Sequence, residues 1–386
     1  MEQRRLEFDI ITNDDRKFLG LDTIPEHWEC RQLGKKIQIY LDENRIVRRK
    51  ITLSSGNGFF NYLEERVFAE TEDGGMYLKS KTGKGKGRKL TAGAVEGINL
   101  SGIYFSYKVV DDKMNVVIGS NTSCTYFYHC INAPAMSLRQ WLEEWKNGTT
   151  AEDKMELAAF RKRERIIHKY GEGDFFRFKV GRRQWGFGQI MLSVSEHWGN
   201  NGEIRKYGMP NEGKPVCYTL FGYISDKKEV DVDFLMSCRR LPSRYIYDNH
   251  FLFGDYEVFD NRPVGDVRWD PVLHYGFEGD KLYLRRGLEV KLLPAYLVKK
   301  GAHPKGREYV GDIIGYHLPE YEYLEQLIEK NADFIEEIDG DDLRKPENAE
   351  LKNYLMKRFG YVVKPGWKQR LMRMTTGHSL LQKMLE

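Results

Sequence analysis

Residues 173–191 read Gly173-Asp-Phe-Phe-Arg-Phe-Lys-Val180, then Gly181-Arg-Arg-Gln184, then Trp185-Gly-Phe-Gly-Gln-Ile-Met191. The first run alternates apolar and polar positions with the period of two that a strand requires. Gly181–Gln184 makes the turn, and the third run returns as the antiparallel partner. In that returning run glycines alternate with aromatics. A strand built this way can bend sharply while a neighbouring ring covers the space that a missing side chain leaves. The hairpin predicts the start of a small curved sheet or partial barrel, and on physical grounds alone it is an element of the fold.

Working outward, further strand-forming runs follow at Val216–Ile224, Tyr256–Phe259 and Leu282–Leu293, while Val230–Met236 reads equally as strand or helix. Upstream lies a helical stretch. Ser137-Leu-Arg-Gln140 has capping-box spacing and places Leu138, Trp141, Leu142 and Trp145 on one face; Thr150-Ala-Glu-Asp153 restarts a second helix that ends on basic residues. Before it, Lys36–Leu41, Ile46–Leu53, Arg66–Thr71, Gly102–Val109, Met114–Gly119 and Thr125–His129 are short runs rich in Ile, Val, Tyr and Phe. Val110-Asp-Asp-Lys113 is a hairpin candidate, and an antiparallel meander is the simplest topology because no connection holds several crossover helices. Past Pro319 the period becomes helical, with stripes at Tyr321, Leu324, Leu327, Ile328 and at Leu351, Tyr354, Leu355, Phe359. Residues 320–342 hold ten acids against one Lys, and residues 351–386 hold eight bases against one Glu. These halves either pair in one helical subdomain or offer docking surfaces.

The expected fold class is α+β: two antiparallel β-rich modules joined by a helical linker, with a C-terminal helical subdomain. The expected boundaries are 1–135 for the N-terminal β-rich module, 136–170 for the linker, 171–300 for the second module and 301–386 for the helical region. A length of 386 residues agrees with two or three domains.

A 13% aromatic content excludes a disordered chain and favours strands. Lys plus Arg is 61 against 57 for Asp plus Glu, a net +4 that is nearly balanced and argues against a dedicated nucleic-acid binder. The five cysteines include no Cys-x-x-Cys pair, so neither a disulfide framework nor a zinc ribbon is expected. The first residues carry no long apolar stretch and are not read as a secretory signal, and no window is apolar enough to span a bilayer. A cytoplasmic location follows as the expectation, with no membrane partner; the sequons at Asn99, Asn121 and Asn147 are then chance matches.

A search for chemistry returns no Walker loop, no Gly-x-Ser-x-Gly elbow and no His-Glu-x-x-His helix. The nine histidines stand singly. No catalytic residue, metal ligand or cofactor is expected, although a constellation assembled only in space escapes such a search. The most conspicuous local feature is Lys79-Ser-Lys-Thr-Gly-Lys-Gly-Lys-Gly-Arg-Lys89, with six cations, three glycines and no acid. It reads as a flexible solvated loop between Tyr77 and Leu90, or as a cationic contact through Lys81, Lys84, Lys86 and Arg88 to phosphates or an acidic protein face. No aromatics interleave these cations, so the stacking platform of a single-strand binder is missing.

The 173–191 hairpin resembles the opening of the immunity protein 26 family of bacterial toxin-immunity systems, whose pattern is a Gly-Asp-x-Phe strand, a short turn and an aromatic-Gly-aromatic-Gly strand. Leu220-Phe-Gly-Tyr-Ile-Ser-Asp-Lys227 looks like the next core strand. Leu241-Pro-Ser-Arg-Tyr-Ile-Tyr-Asp-Asn249, Gly254-Asp-Tyr-Glu-Val-Phe259, Asp270-Pro271 and Tyr275-Gly276 resemble later segments. Lys179-Val180 replaces a frequent Pro-Leu, a change a strand accommodates. The resemblance covers about residues 161–295.

It implies a non-enzymatic protein that neutralises a cognate bacterial toxin domain by stoichiometric binding. Residues expected to anchor such a partner are Arg239, Arg240, Arg244, Tyr245, Tyr247, Trp269 and Tyr275, with packing inside the module as the competing role for the aromatics. Nucleic-acid binding through Lys79–Lys89 and the basic tail is the alternative reading.

Overall fold

The computed structural model describes residues 10–81, 87–110, 113–121, 125–131, 136–163, 166–193, 213–241, 243–264, 273–278, 281–286, 289–294, 314–315, 318, 324–325, 328 and 343–360. The chain forms two compact units, Met1–Ile167 and His168–Glu386. The architecture is α+β with mostly antiparallel sheets.

In the first unit a one-turn helix, α1 (Asn13–Arg16), precedes β1 (Glu29–Leu33), β2 (Ile37–Leu41), β3 (Val47–Gly56) and β4 (Phe59–Ala69). A short ribbon follows, β5 (Thr71–Glu72), β6 (Tyr77–Lys81) and β7 (Gly87–Lys89), then α2 (Ala92–Val95), β8 (Ser101–Val110), β9 (Lys113–Ser120) and β10 (Thr125–Ile131). The main sheet runs β1-β2-β3-β4-β8-β9-β10, every pair antiparallel, so the expected meander is present with the ribbon inserted after its fourth strand. Val110 pairs with Lys113 at the hairpin that the sequence suggested.

Two strands depart from expectation. β1, Glu-Cys-Arg-Gln-Leu, is too polar to read as a strand; it is an edge strand whose residues alternate between half-buried and exposed. β4 begins at Phe59 instead of Arg66, because Glu64 and Glu65 interrupt its apolar pattern yet lie buried. Each finds a cation there: Glu64 pairs with Arg16, and Glu65 lies 2.7 Å from Lys50. A buried carboxylate is tolerable only with such a partner, and no periodicity reports one. The basic stretch 79–89 differs too. Its ends are the paired strands β6 and β7, with Lys81 opposite Gly87, and Lys79 is bonded to Glu70.

α3 (Leu138–Asn147) starts with the capping box expected, Ser137 with Gln140, and α4 (Ala151–Lys162) restarts where expected with a complete box of its own, Thr150 with Asp153. The segment expected to link two bodies contributes to the core of the first. Trp141 lies 5.5 Å from Phe105 and Trp145 lies 4.7 Å from Phe127 between ring centres, and the Trp145 indole donates to the Phe18 carbonyl at 2.7 Å. Burying each tryptophan is worth up to about 4 kcal/mol. Asp15, fully buried in α1, accepts hydrogen bonds from Arg139 at 3.0 Å and Lys146 at 2.9 Å on α3. Burial opposes its charge, but these donors and Thr12 bring the carboxyl down to about 2.

The second unit opens with the hairpin of β11 (Asp174–Lys179) and β12 (Trp185–Ser193), then β13 (Pro215–Ser225), α5 (Val232–Ser237), β14 (Arg244–Tyr247), α6 (Asn249–Leu252) and β15 (Glu257–Asn261). β16 (Leu273–Glu278), β17 (Lys281–Arg286), β18 (Glu289–Pro294), β19 (Ile314–Gly315) and α7 (Ala349–Arg358) complete it. One sheet has the order β15-β11-β12-β13-β14-β19, antiparallel except for the parallel β14–β19 pair. A separate meander joins β16, β17 and β18, and α7 packs on it: Leu355, Met356 and Phe359 share a core with Leu273, Tyr275, Leu282 and Leu284. Leu324 and Ile328 of the first predicted helical stripe pack into the core of the six-stranded sheet. Most of the acidic stretch 320–342 and all of 361–386 lie outside the described residues.

Candidate interaction surface

Because strand side chains alternate, β11 sends Phe176 and Phe178 to one face of its sheet and Phe175, Arg177 and Lys179 to the other. The register pairs Phe176 with Gly188 and Phe178 with Gly186. A Cβ on Gly188 would come within 2.4 Å of the Phe176 ring and 2.7 Å of the Thr219 carbonyl oxygen; one on Gly186 would come within 2.7 Å of Phe178. These two glycines let the rings lie flat on the sheet. The chain then closes this face itself with Phe251, Tyr256, Leu318 and Leu324.

Among the described residues the opposite face is closed only in part. Phe175, Phe187 and Phe221 are buried in it, Phe175 and Phe221 stacked at 5.6 Å, and Leu235 of α5 covers them. Around that centre Trp185, Tyr223 and Phe259 are only half-buried. Among the described residues the cover is α5, six residues capped by Asp231 accepting from the amides of Asp233 and Phe234, with Val230 and Cys238 flanking it. It leaves Phe234 46% and Met236 44% exposed. Phe234 meets Tyr223 edge-on at 4.9 Å, extending the aromatic surface outward.

Cations are laid over these rings. Arg177 lies 5.3 Å from the Phe259 centroid, Lys179 and Lys228 lie 5.7 and 5.4 Å from that of Trp185, and Arg240 lies 4.8 Å from that of Phe221. Each such contact contributes about 0.5–1 kcal/mol at a partly wet site and holds a flexible side chain in place. Glu257 organises two of them, accepting from Arg177 at 3.1 Å and Lys228 at 3.0 Å. Burial would raise the Glu257 carboxyl, but Lys228 and Arg177 outweigh it and hold it below the usual glutamate range. Arg240 donates to Gln189 at 2.8 Å, and burial lowers its guanidinium from the usual value.

Such a face has the composition of a recognition surface: Trp, Tyr and Arg set by their neighbours around a desolvated centre. Among the described residues no group of three or more His, Cys, Asp or Glu gathers as a metal would need. No described helix is long and apolar enough to cross a membrane.

Of the residues the sequence nominated, Arg240 belongs to this face. Arg239 is half-buried beside it, its carbonyl accepting from the Gly222 amide at 2.8 Å, and Arg244 is half-buried on β14 opposite Tyr218. Tyr245, Tyr247 and Tyr275 are corrected to core residues, at 3%, 1% and 4% exposure, because β14 and β16 carry them inward where a partner cannot touch them. Trp269, Lys84 and Lys86 lie outside the described residues, Lys81 is on β6, and Arg88 is exposed on β7 in the other unit. Sequence reasoning missed Arg177, Trp185, Tyr223, Lys228, Phe234, Met236 and Phe259. The alternation in 173–191 already assigned Arg177 and Trp185 to one face; what it lacked was any sign of which face the rest of the chain would cover.

Residues 171–285, somewhat under a third of the 386-residue chain, match the family model of immunity protein 26 and lie inside the 161–295 span of the resemblance. No curated protein and no solved structure matches.

Proposed function

We propose that the chain is an immunity protein that neutralises a bacterial toxin in the cytoplasm by stoichiometric binding, and that it docks the toxin on the partly covered face of its six-stranded sheet. The observation that carries this reading is a coincidence of place. Every element of that face, from Arg177 through Trp185, Tyr223, Phe234 and Arg240 to Phe259, lies within the matched segment 171–285. The family suggests protection against a toxin; the open aromatic face offers the means.

A specific interface of standard size buries about 1,600 Å² in total, with a few Trp, Tyr and Arg anchors dominating the affinity. Trp185, Phe234 and Phe259 supply area, while Arg177, Lys179 and Lys228 guide encounter with an acidic rim on the partner. Inhibition of this kind needs tight, slowly dissociating contact and no turnover. In this reading the N-terminal module, 1–135, with its ribbon at 71–89, is outside the docking site.

Co-expression with toxin domains encoded beside the gene, followed by co-purification and a growth-rescue assay, tests the proposal. The expected result is a one-to-one complex and restored growth for one such domain. Rescue that survives simultaneous alanine replacement of Trp185 and Phe234 would move the docking site elsewhere. Absence of binding and of rescue for all of them would end the reading.

A further inference from the structure

The first unit holds a group of charges that nothing above uses. A small cleft, open to solvent, is lined by Asp22, Arg49, Glu64, Arg66, Ser101 and Arg161, among others. The cavity proper has room for about one water, so an anion larger than that would sit in its open mouth. The walls come from the loop after α1, from β3, β4 and the start of β8, and from the last turn of α4.

The charges there do not balance. Asp22 is held between Arg49 at 3.0 Å and Arg161 at 2.5 Å. Behind it the buried Glu64 pairs with Arg16, accepts from the Tyr62 hydroxyl at 2.9 Å and lies 3.5 Å from Arg49. Two carboxylates thus face four guanidiniums: Arg16, Arg49, Arg66 and Arg161. Arg66 lines the cleft, is exposed, and has no carboxylate partner among the described residues. Arg49 records the surplus. Burial lowers its guanidinium from the usual value, Asp22 raises it, and Arg66, Arg16 and Arg161 lower it further.

We propose that this cleft binds a phosphate group, free or carried on a small phosphomonoester. The surplus of two positive charges matches a group that carries about −1.5 to −2 near neutral pH, and exceeds what one carboxylate would neutralise. Guanidinium forks present paired donors that suit phosphate oxygens, and Ser101 adds a hydroxyl to the lining. Arg66 and Arg161 stand at the open side, Arg66 with all its donors uncommitted to an acid and Arg161 28% exposed. Gly102 keeps the floor close: a Cβ there would come within 2.7 Å of the Glu65 side chain and 2.9 Å of the Glu64 carbonyl oxygen. The site lies in Met1–Ile167, outside the segment proposed to meet a toxin.

Isothermal titration of the full chain at fixed ionic strength tests it, with inorganic phosphate, adenosine monophosphate and acetate as probes. One saturable site is expected for at least one phosphate probe, with acetate at least tenfold weaker. A tighter monophosphate identifies a phosphomonoester as the ligand, and equal affinities identify free phosphate. Arg66→Ala and Arg66→Gln, at an exposed position that leaves the core untouched, should each weaken phosphate at least tenfold with an unchanged circular-dichroism melt in phosphate-free buffer. Arg88→Ala, on the ribbon, should leave affinity within twofold. Lack of saturable binding by both phosphate probes would overturn the proposal, as would equal losses in the Arg66 and Arg88 variants.

Discussion

The two faces of the β11–β13 sheet are built from neighbouring residues of the same strands, yet their fates differ. On one, Phe176 and Phe178 are sealed beneath Phe251, Tyr256, Leu318 and Leu324, with glycines beneath the rings. On the other, Phe175, Phe187 and Phe221 are covered among the described residues by α5 and its flanks Val230 and Cys238, and rings at the margin remain half in water under lysines and arginines. The first face spends its hydrophobic free energy on folding; the second leaves part of its aromatic area in water, which in the proposed docking a partner would cover. An aromatic-rich strand pair is therefore a statement about area, and the division between core and interface depends on what the rest of the chain covers.

The contrast can be broken most forcefully from the closed side. Phe176→Ala removes a fully buried ring and should destabilise the second unit by about 3–5 kcal/mol, measured as a lowered urea midpoint. A loss below 1 kcal/mol would mean that this face is not the structural one. Gly188→Ala should cost about 1–3 kcal/mol, since the added methyl meets a ring and a backbone carbonyl, and only the ring can move. Unchanged stability there would remove the steric reason given for the glycines.

On the open side the sign of the comparison reverses. If the proposed docking holds, Trp185→Ala should weaken the toxin complex by about 2 kcal/mol, roughly thirtyfold, while unfolding free energy shifts by about 1 kcal/mol or less. Equal losses in binding and folding would place Trp185 in the core. The smallest effect is expected at Glu257. Its carboxyl is depressed in the folded state, so its contribution is complete above the unfolded pKa of about 4.3 and is lost as pH falls through the lower folded value. Glu257→Gln should therefore cost about 0.5 kcal/mol at pH 7 and nothing measurable near pH 2. A difference between the two proteins that grows as pH falls would reverse the assigned sign.

Much of this fold was legible beforehand. Alternation placed β11, β12 and most of the N-terminal meander, and capping residues at Ser137 and Thr150 marked the starts of α3 and α4. What escaped were the places where distant residues compensate for local oddity: the buried acids of β4, the polar edge strand β1, and the packing of the tryptophans of α3 against the first sheet. The candidate face was half legible. Its strands were found, but the nominated tyrosines on β14 and β16 turned inward, and the helix bearing Phe234 read ambiguously.

The sequence by itself determined the periodicities, hence which residues share a side of each strand, and where helices begin. Only the tertiary structure decided which of those sides the chain would cover, and which charges would meet across it. Periodicity is a property of a few consecutive residues, whereas burial and ion pairing depend on groups far apart in the chain, as Arg16 and Glu64 are.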